Sequence, residues 1–156
     1  IAAVGSDEKK ELLESYYPDL VINYQKENLK EIIEKGYGKR PIDIFYDQVG
    51  GDPYNDGIRL LGSEGKALIV GFASGNIPSQ LLSYLLVKNI SIMGVFMIDF
   101  EFNGSEYLKE RLKLIFDLYR EGKIDPLYEV IRFDEILDYL ELIGSRKTVG
   151  RIVAIK

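Results

Sequence analysis

Few side chains of this protein are suited to covalent or proton-transfer chemistry. There is no cysteine and no histidine, which removes a thiolate nucleophile, any Ser-His or Cys-His pair and the usual zinc ligands. No acidic cluster has a recognisable metal-ligand spacing. Asp47 is a carboxylate at the end of the apolar run Ile42-Asp43-Ile44-Phe45-Tyr46. It has no partner base or metal, so a structural hydrogen-bonding role is expected of it. Tyr84 and Lys88 stand four residues apart, a spacing that puts a phenol and an ammonium on one helical face, where the cation favours the phenolate. The serine that such a pair needs upstream is absent. Gly71 stands at its position and Ser74 is too close, so this spacing reads as coincidence. What remains is ligand binding through backbone and small side chains. Gly50-Gly51 follows Asp47-Gln48-Val49, and Gly71-Phe72-Ala73-Ser74-Gly75 follows Lys66-Ala67-Leu68-Ile69-Val70. Glycine lets a ligand approach the main chain closely.

Each of these loops sits between an apolar run and a helical stretch. That is how a buried parallel strand delivers a loop to the carboxyl edge of a sheet, where α/β proteins bind ligands. The same alternation runs through the chain. Strands are expected at Ile1 to Val4, Leu20 to Asn23, Ile42 to Asp47, Ala67 to Phe72, Ile90 to Phe96, Tyr128 to Arg132 and Arg151 to Ile155. Helices are expected from Ser6 to about Tyr16, from Asn28 to Lys35, after Asp52-Pro53, and over Ser79 to Val87, Ser105 to Glu121 and Asp134 to Ile143. Ser6 is a natural N-cap with Asp7 and Glu8 behind it, and Gly36 and Gly38 end the second helix. The pattern predicts an α/β fold, a parallel sheet with flanking helices and right-handed crossovers. A polar joint at Asp99 to Gly104 divides residues 1–98 from residues 99–156.

With 156 residues, 46% of them hydrophobic, the chain is large enough for a real core. Its net charge of −5 argues against a nucleic-acid partner, which needs clustered cations. No apolar run approaches the roughly 18 residues of a membrane span; Leu81 to Val87 is interrupted by Ser83 and Tyr84. No signal peptide is visible, and a cytoplasmic protein is expected, with mitochondria as the alternative. The sequence opens at Ile1 inside a strand-like run and reads as a fragment of a longer polypeptide.

Several motifs fall in one order: Val4-Gly5-Ser6-Asp7-Glu8-Lys9, Val21-Ile22-Asn23-Tyr24, Tyr46-Asp47-Gln48-Val49-Gly50-Gly51 and Val70-Gly71-Phe72-Ala73-Ser74-Gly75. Leu86-Val87-Lys88-Asn89-Ile90-Ser91-Ile92-Met93-Gly94-Val95 and Ser145-Arg146-Lys147-Thr148-Val149-Gly150-Arg151-Ile152-Val153 complete the set. Over essentially its whole length the chain resembles the carboxyl-terminal half of a quinone oxidoreductase of the zeta-crystallin type. Those proteins form a zinc-free branch of the medium-chain dehydrogenase/reductase superfamily. The resemblance implies a Rossmann domain beside a GroES-like domain, usually a homodimer, with NADPH-dependent reduction of quinones or activated carbon–carbon double bonds. No side chain of this chain is assigned a catalytic role, because the nicotinamide delivers hydride directly and the protein positions it.

The resemblance also implies contacts. NAD-selective Rossmann domains carry an acidic residue at the end of strand 2; here Gly5-Ser6 stands there with a cation one turn on. Ser6 and Lys9 are thus expected at the adenosine 2′-phosphate, giving NADP preference. Ser6 as a plain cap, and Asp7 as the ribose partner, are the alternatives. Tyr24 is expected beside the 2′-phosphate or adenine, Gln48 and Val49 at the ribose and adenine edge, and Gly71, Phe72, Ala73 and Ser74 near the nicotinamide ribose. Val95 and Phe96 are expected to flank the nicotinamide amide through backbone groups. The substrate, a quinone or enone, would bind mainly against the absent domain.

The departures are large. A strand, a glycine-rich loop and a helix would precede Ile1, and that strand is the central one in the order 3-2-1-4-5-6. The chain must leave a gap, close strands 2 and 4 together, or borrow a strand. Tyr17-Pro18 replaces a small-residue turn. The apolar edge over residues 90–96 is expected to make a homodimer, and the carboxyl-terminal segment, lacking the domain it would return to, to expose apolar surface. Two other readings stand beside this one: a non-catalytic folded module that dimerises, and a short-chain-type reductase using Tyr84 and Lys88.

Overall fold

Apolar runs closed by capping residues set the order of elements in a computed structural model, which describes residues 1–96, 105–145 and 148–156. The chain divides into two compact units, residues 1–97 and 98–156. The polar joint expected at Asp99 to Gly104 lies outside the described residues.

In the first unit, strands β1 (Ala2–Val4), β2 (Val21–Asn23), β3 (Ile42–Asp47), β4 (Leu61–Ile69) and β5 (Ser91–Gly94) alternate with helices. These are α1 (Asp7–Glu14), α2 (Leu29–Tyr37), α3 (Gly51–Leu60) and α4 (Leu82–Lys88). The caps behave as their residue types require. The Ser6 hydroxyl accepts from the Lys9 N–H at 3.3 Å and the Asn28 side chain from the Glu31 N–H at 3.0 Å. Gly38, at φ 88°, ends α2 in a conformation that a Cβ would oppose.

Every strand pair is parallel, as the alternation predicts. The strands nevertheless form two sheets, β1-β2 and β3-β4-β5. Of the three possibilities for a sheet lacking its central strand, the chain adopts the gap. Apolar side chains bind the two halves from one side. Tyr54, Ile58, Leu61, Ala67 and Ile90 form one buried cluster, with Phe45, Tyr84 and Leu85 against it. Ile22, Leu29, Ile33 and Leu60 form a second, and Ile42 packs on both. Burying a side chain of this size stabilises by about 1.5–3 kcal/mol, so these clusters hold the half-sheets together without a shared ladder. The other face of β3-β4-β5 is bare: Ile44, Tyr46 and Met93 are 62%, 59% and 53% exposed.

Several boundaries differ from expectation, among them those of β4, α4 and β5. β4 begins at Leu61, not Ala67, because Leu61 pairs with Ile42 across an irregularity before Ile44. The Gly62-Ser63-Glu64-Gly65 stretch looks like a turn but runs within the strand. α4 starts at Leu82, after an irregular segment through Pro78. β5 ends at Gly94, which leaves Val95 and Phe96 beyond the strand.

The second unit contains helix α5 (Ser105–Arg120), strand β6 (Tyr128–Arg132), a 3-10 turn (Phe133–Glu135), helix α6 (Ile136–Gly144) and strand β7 (Arg151–Ile155). β6 and β7 pair in parallel. Ile131 is buried there, whereas Tyr128, Val130, Phe133, Leu137, Leu140 and Ile155 are more than half exposed. Such apolar exposure matches the expectation for this segment.

Candidate functional site

Asp47 organises the carboxyl tips of β3 and β4. It is 3% exposed, and its carboxylate accepts from the Val49 N–H at 2.9 Å and from the Gly50 N–H at 3.0 Å. This is the structural role expected of it. The bonds fold the chain sharply after β3, and Gly50 and Gly51 take φ values of 70° and 60°. The β4 loop then joins the β3 loop through the backbone. The Ala73 N–H donates to the Gln48 carbonyl at 3.0 Å, Ser74 N–H to the Val49 carbonyl at 2.9 Å, and Gly51 N–H to the Asn76 carbonyl at 3.1 Å. A Cβ on Gly50 would lie 2.6 Å from the Asn76 oxygen, so glycine is required for the loops to meet. Gln48, Val49, Gly71, Phe72, Ala73 and Ser74 therefore form one continuous rim. Phe72 and Ala73 are exposed on it.

A second rim lies at the tip of β1. Ser6 caps α1, and the Tyr24 N–H donates to the Val4 carbonyl at 3.0 Å. That bond brings the Tyr24 ring over Gly5, where an added Cβ would lie 2.9 Å from the hydroxyl oxygen. Ser6, Lys9 and Tyr24 are thus gathered at the amino-terminal end of α1, where the helix dipole favours an anion.

A cavity of about 230 Å³ connects the two rims. Ala3 and Tyr24 line one side, Tyr46, Gln48 and Val49 the other, and Leu29, Ile33 and Leu60 also line it. Tyr24, Gln48 and Val49, far apart in sequence, share this cleft. Val95 stands beside β4, its N–H on the Ile69 carbonyl at 2.8 Å. Neither Val95 nor Phe96 reaches the cleft lining; Phe96 is 64% exposed.

An ionic network beneath the β1 rim was not foreseen. The buried Asn23 donates to Asp7 at 2.6 Å and receives the Gln25 N–H at 3.1 Å, while its own N–H donates to Glu27 at 2.9 Å. Lys26 pairs with Asp7, and Lys10 with Glu27 at 2.9 Å. The hydrogen bond from Lys26, then that from Asn23, holds the Asp7 carboxyl below its ordinary value, and Lys10 does the same for Glu27. Both Asp7 oxygens are engaged, which leaves it poorly placed as a ribose acceptor. The polar Asn23, at the end of an apolar run, was the one available signal.

Tyr84 and Lys88 are elsewhere. With Lys30, Lys39, Arg40 and Arg59 they line a hollow at the amino-terminal end of β3 to β5. Lys88 lies 5.9 Å from the centre of the Tyr84 ring, over its face, and Arg40 donates to the Leu61 and Lys88 carbonyls at 2.6 and 2.8 Å. This geometry packs the phenol rather than activating it, and the strand tips are at the opposite edge. Among the described residues no group of three or more acidic, histidine or cysteine side chains could hold a metal, and no helix is long and apolar enough to cross a membrane.

Comparisons agree with this arrangement. The family of zinc-binding dehydrogenases matches residues 1–117. Quinone oxidoreductase-like protein 2 of Bos taurus is 33% identical over 154 residues, spanning 98% of this chain and 44% of that protein. Its Rattus norvegicus counterpart is 31% identical over the same shares. This chain thus spans less than half the length of these relatives. Among solved structures, an Escherichia coli quinone oxidoreductase complexed with NADPH superposes with a TM-score of 0.87 at 23% identity, over 99% of this chain and 48% of that one. A Pseudomonas syringae pv. Tomato DC3000 quinone oxidoreductase gives 0.85 at 22%, over 99% and 48%. The parallel α/β arrangement is accordingly the Rossmann-like half of such proteins, and the chain belongs to the zinc-binding dehydrogenase family.

Proposed function

We propose that this chain is the cofactor-binding part of an NADPH-dependent oxidoreductase that reduces quinones or activated alkenes. The observation that carries the reading is the convergence of Tyr24 from one half-sheet with Gln48 and Val49 from the other around one cleft, with Ser6 and Lys9 at the adjoining end of α1. The NADPH named in the Escherichia coli neighbour supports the choice of cofactor.

The residues present suit the adenosine end of that cofactor. The Ser6 oxygen accepts from the Lys9 N–H, so its hydroxyl hydrogen stays available to a phosphate oxygen. Lys9 supplies positive charge one turn on, and Asp7 is already committed to Asn23 and Lys26. Tyr24, Gln48 and Val49 hold the adenine and ribose, while Gly71 to Ser74, with Val95 and Phe96 beyond β5, flank the nicotinamide end. When bound, the nicotinamide supplies hydride. The chain's part is to bind it, orient it and limit water. The division at residues 98/99 separates this portion from a segment that belongs partly with a substrate domain.

Titration with NADPH and NADH, with and without the relatives' remaining polypeptide, tests the reading. At least a tenfold preference for NADPH is expected, about 1.4 kcal/mol, and it should collapse in Lys9→Ala. No binding of either nucleotide in the completed protein would refute the reading.

A second reading, dimerisation through residues 90–96, rests on β5. Among the described residues it pairs only with β4, and Met93 and Phe96 are more than half exposed beside it. Light scattering of wild type against Met93→Lys checks it: a dimer that becomes a monomer supports the edge, and a wild-type monomer discards it.

A further inference from the structure

We propose that the hollow at the amino-terminal edge of β3-β4-β5 binds a soluble phosphate dianion, either a phosphate monoester or a diphosphate. This edge is opposite the strand tips that carry Gln48, Val49 and the β4 loop, so the site is separate from the cofactor cleft.

The local charge balance sets the sign and size of the ligand's charge. The hollow measures about 530 Å³ and is lined by Lys30 of α2, Lys39 and Arg40 of the α2–β3 turn, Arg59 of α3 and Lys88 of α4. These five cations gather in a chain whose net charge is −5. Among the described residues of the lining, Glu34 is the one acid, and it pairs with Lys30 at 4.0 Å. A cation beside the carboxyl-terminal end of a helix needs no ligand, because that end carries about half a negative charge. α2, α3 and α4 all end at this edge, and together they supply about one and a half charges. With Glu34 they offset about half of the cations, which leaves a surplus of about two positive charges. A dianion balances that surplus.

The geometry favours phosphate among dianions. Arg40 is half-buried, and its Nε and Nη2 donate to the Leu61 and Lys88 carbonyls. Those bonds fix the guanidinium between the start of β4 and the end of α4. A guanidinium has five N–H donors, so three remain beyond these two bonds. The Arg40 backbone takes φ 53°, a left-handed conformation that residues with a Cβ seldom adopt. A fork held this way matches the paired oxygens of a phosphate group. Lys88 is held over the Tyr84 ring. Lys39 and Arg59 are exposed and make no ion pair among the described residues, so their charge is available to a ligand. A phospholipid headgroup offers the same chemistry. The lining, however, has no aliphatic side chain to enter a bilayer, and a concave site surrounded by cations suits the free compound.

Titration of the isotope-labelled chain with inorganic pyrophosphate at constant ionic strength, followed by amide chemical shifts, tests this. Saturable shifts are expected at the Arg40, Leu61 and Asn89 amides, and they should persist in Lys9→Ala, which weakens any anion site at the start of α1. Lys39→Ala and Arg59→Ala should each weaken binding by about fivefold. Glu34→Gln removes the acid of the lining and should tighten binding by about threefold, a change of sign that general loss of structure does not produce. If an alanine variant does not fold, the wild-type shifts and Glu34→Gln decide. Shifts confined to Ser6 and Lys9 overturn the proposal, since they give the probe to the other edge. Binding that neither alanine variant nor Glu34→Gln alters overturns it as well, leaving an adventitious ion only. Cosedimentation with phosphatidic acid vesicles in the absence of a response to free pyrophosphate gives the hollow to a membrane and also overturns it. NADPH is left out throughout, so the outcome is separable from cofactor binding.

Discussion

Replacing Asp47 by alanine should loosen both strand-tip loops at once. The wild-type carboxylate is buried and accepts from the Val49 and Gly50 N–H groups at 2.9 and 3.0 Å, with a further contact from Gly50 at 3.2 Å. Hydrogen bonds to a charged acceptor are worth about 1.5–3 kcal/mol each. Two such bonds set an upper range of about 3–6 kcal/mol. Gly50 is buried but Val49 only half-buried, so water can replace part of what Val49 loses. A net loss of about 3 kcal/mol is expected. Asp47→Asn keeps one acceptor oxygen, enough for the shared Oδ1 position, and should lose roughly half as much. Urea denaturation of the three proteins measures this, with the slope unchanged if the native state keeps its compactness. The loop consequence is separate. Gln48 and Val49 receive the Ala73 and Ser74 N–H groups, so amide exchange at Ala73 and Ser74 should quicken in Asp47→Ala although neither touches the carboxylate. An alanine variant within about 0.5 kcal/mol of wild type, with Ala73 and Ser74 unchanged, would refute Asp47 as the organiser of the rim.

Gly57→Ala should destabilise although alanine is the better helix former by about 1 kcal/mol. The new Cβ would lie 2.4 Å from Phe45 Cζ, and Phe45 is backed by Tyr54 at 6.3 Å between ring centroids. A net loss of about 1–2 kcal/mol on thermal or urea unfolding is expected, partly recovered by adding Phe45→Leu. Ser6→Ala should cost about 1 kcal/mol through the lost cap and, in the completed protein, weaken NADPH more than NADH; an equal effect on both would leave Ser6 only a cap. Acid should weaken the first unit through Asp7 and Glu27. Their folded-state pKa values are depressed, so their stabilisation is present above the unfolded values and is lost as pH falls through the folded ones. Unfolding midpoints should drop below about pH 4, and less so in Asp7→Asn.

Which parts of this protein could be read from its sequence follows from how local their causes are. Ile42 to Asp47, Tyr128 to Arg132 and Arg151 to Ile155 are strands at the expected residues, because apolar runs bounded by turn formers specify themselves. β4 was misread at its start because its first residues, Leu61-Gly62-Ser63-Glu64-Gly65, have turn chemistry. They are drawn into the strand by pairing with Ile42 and by the Arg40 guanidinium on the Leu61 carbonyl, contacts that no local window contains. The structural role of Asp47 was legible, since a strand-end carboxylate before two glycines has nearby N–H groups to accept from. The commitment of Asp7 was not. It depends on Asn23 and Lys26 arriving from another strand and turn, and only tertiary structure decides that an acidic residue next to the cap serves the scaffold instead of a ligand. The same limit applied to Tyr84 and Lys88, whose helical spacing is real but whose place at the far edge of the sheet is set by topology.

The gap is the most informative outcome. A chain free to close its sheet would gain a ladder by bringing β1 against β3, yet the half-sheets stay apart. The reason lies in Ile42, which packs on both apolar clusters, and in Leu29, Ile33 and Leu60, which support the floor of the cleft. Closing the slot would displace α2 from α3 and expose those side chains, each worth about 1.5–3 kcal/mol buried. A ladder of three residues, limited by the length of β1, returns about 0.5–1.5 kcal/mol per hydrogen bond. Packing wins, and the two half-sheets stay separate. Shortening that floor should therefore shift the balance: Leu60→Ala with Ile33→Ala removes the support, and slowed exchange at the Ala3 and Ile44 amides in this chain alone would report collapse of the slot. Unchanged fast exchange at both amides in a variant that still folds would mean that some other constraint keeps β1 and β3 apart.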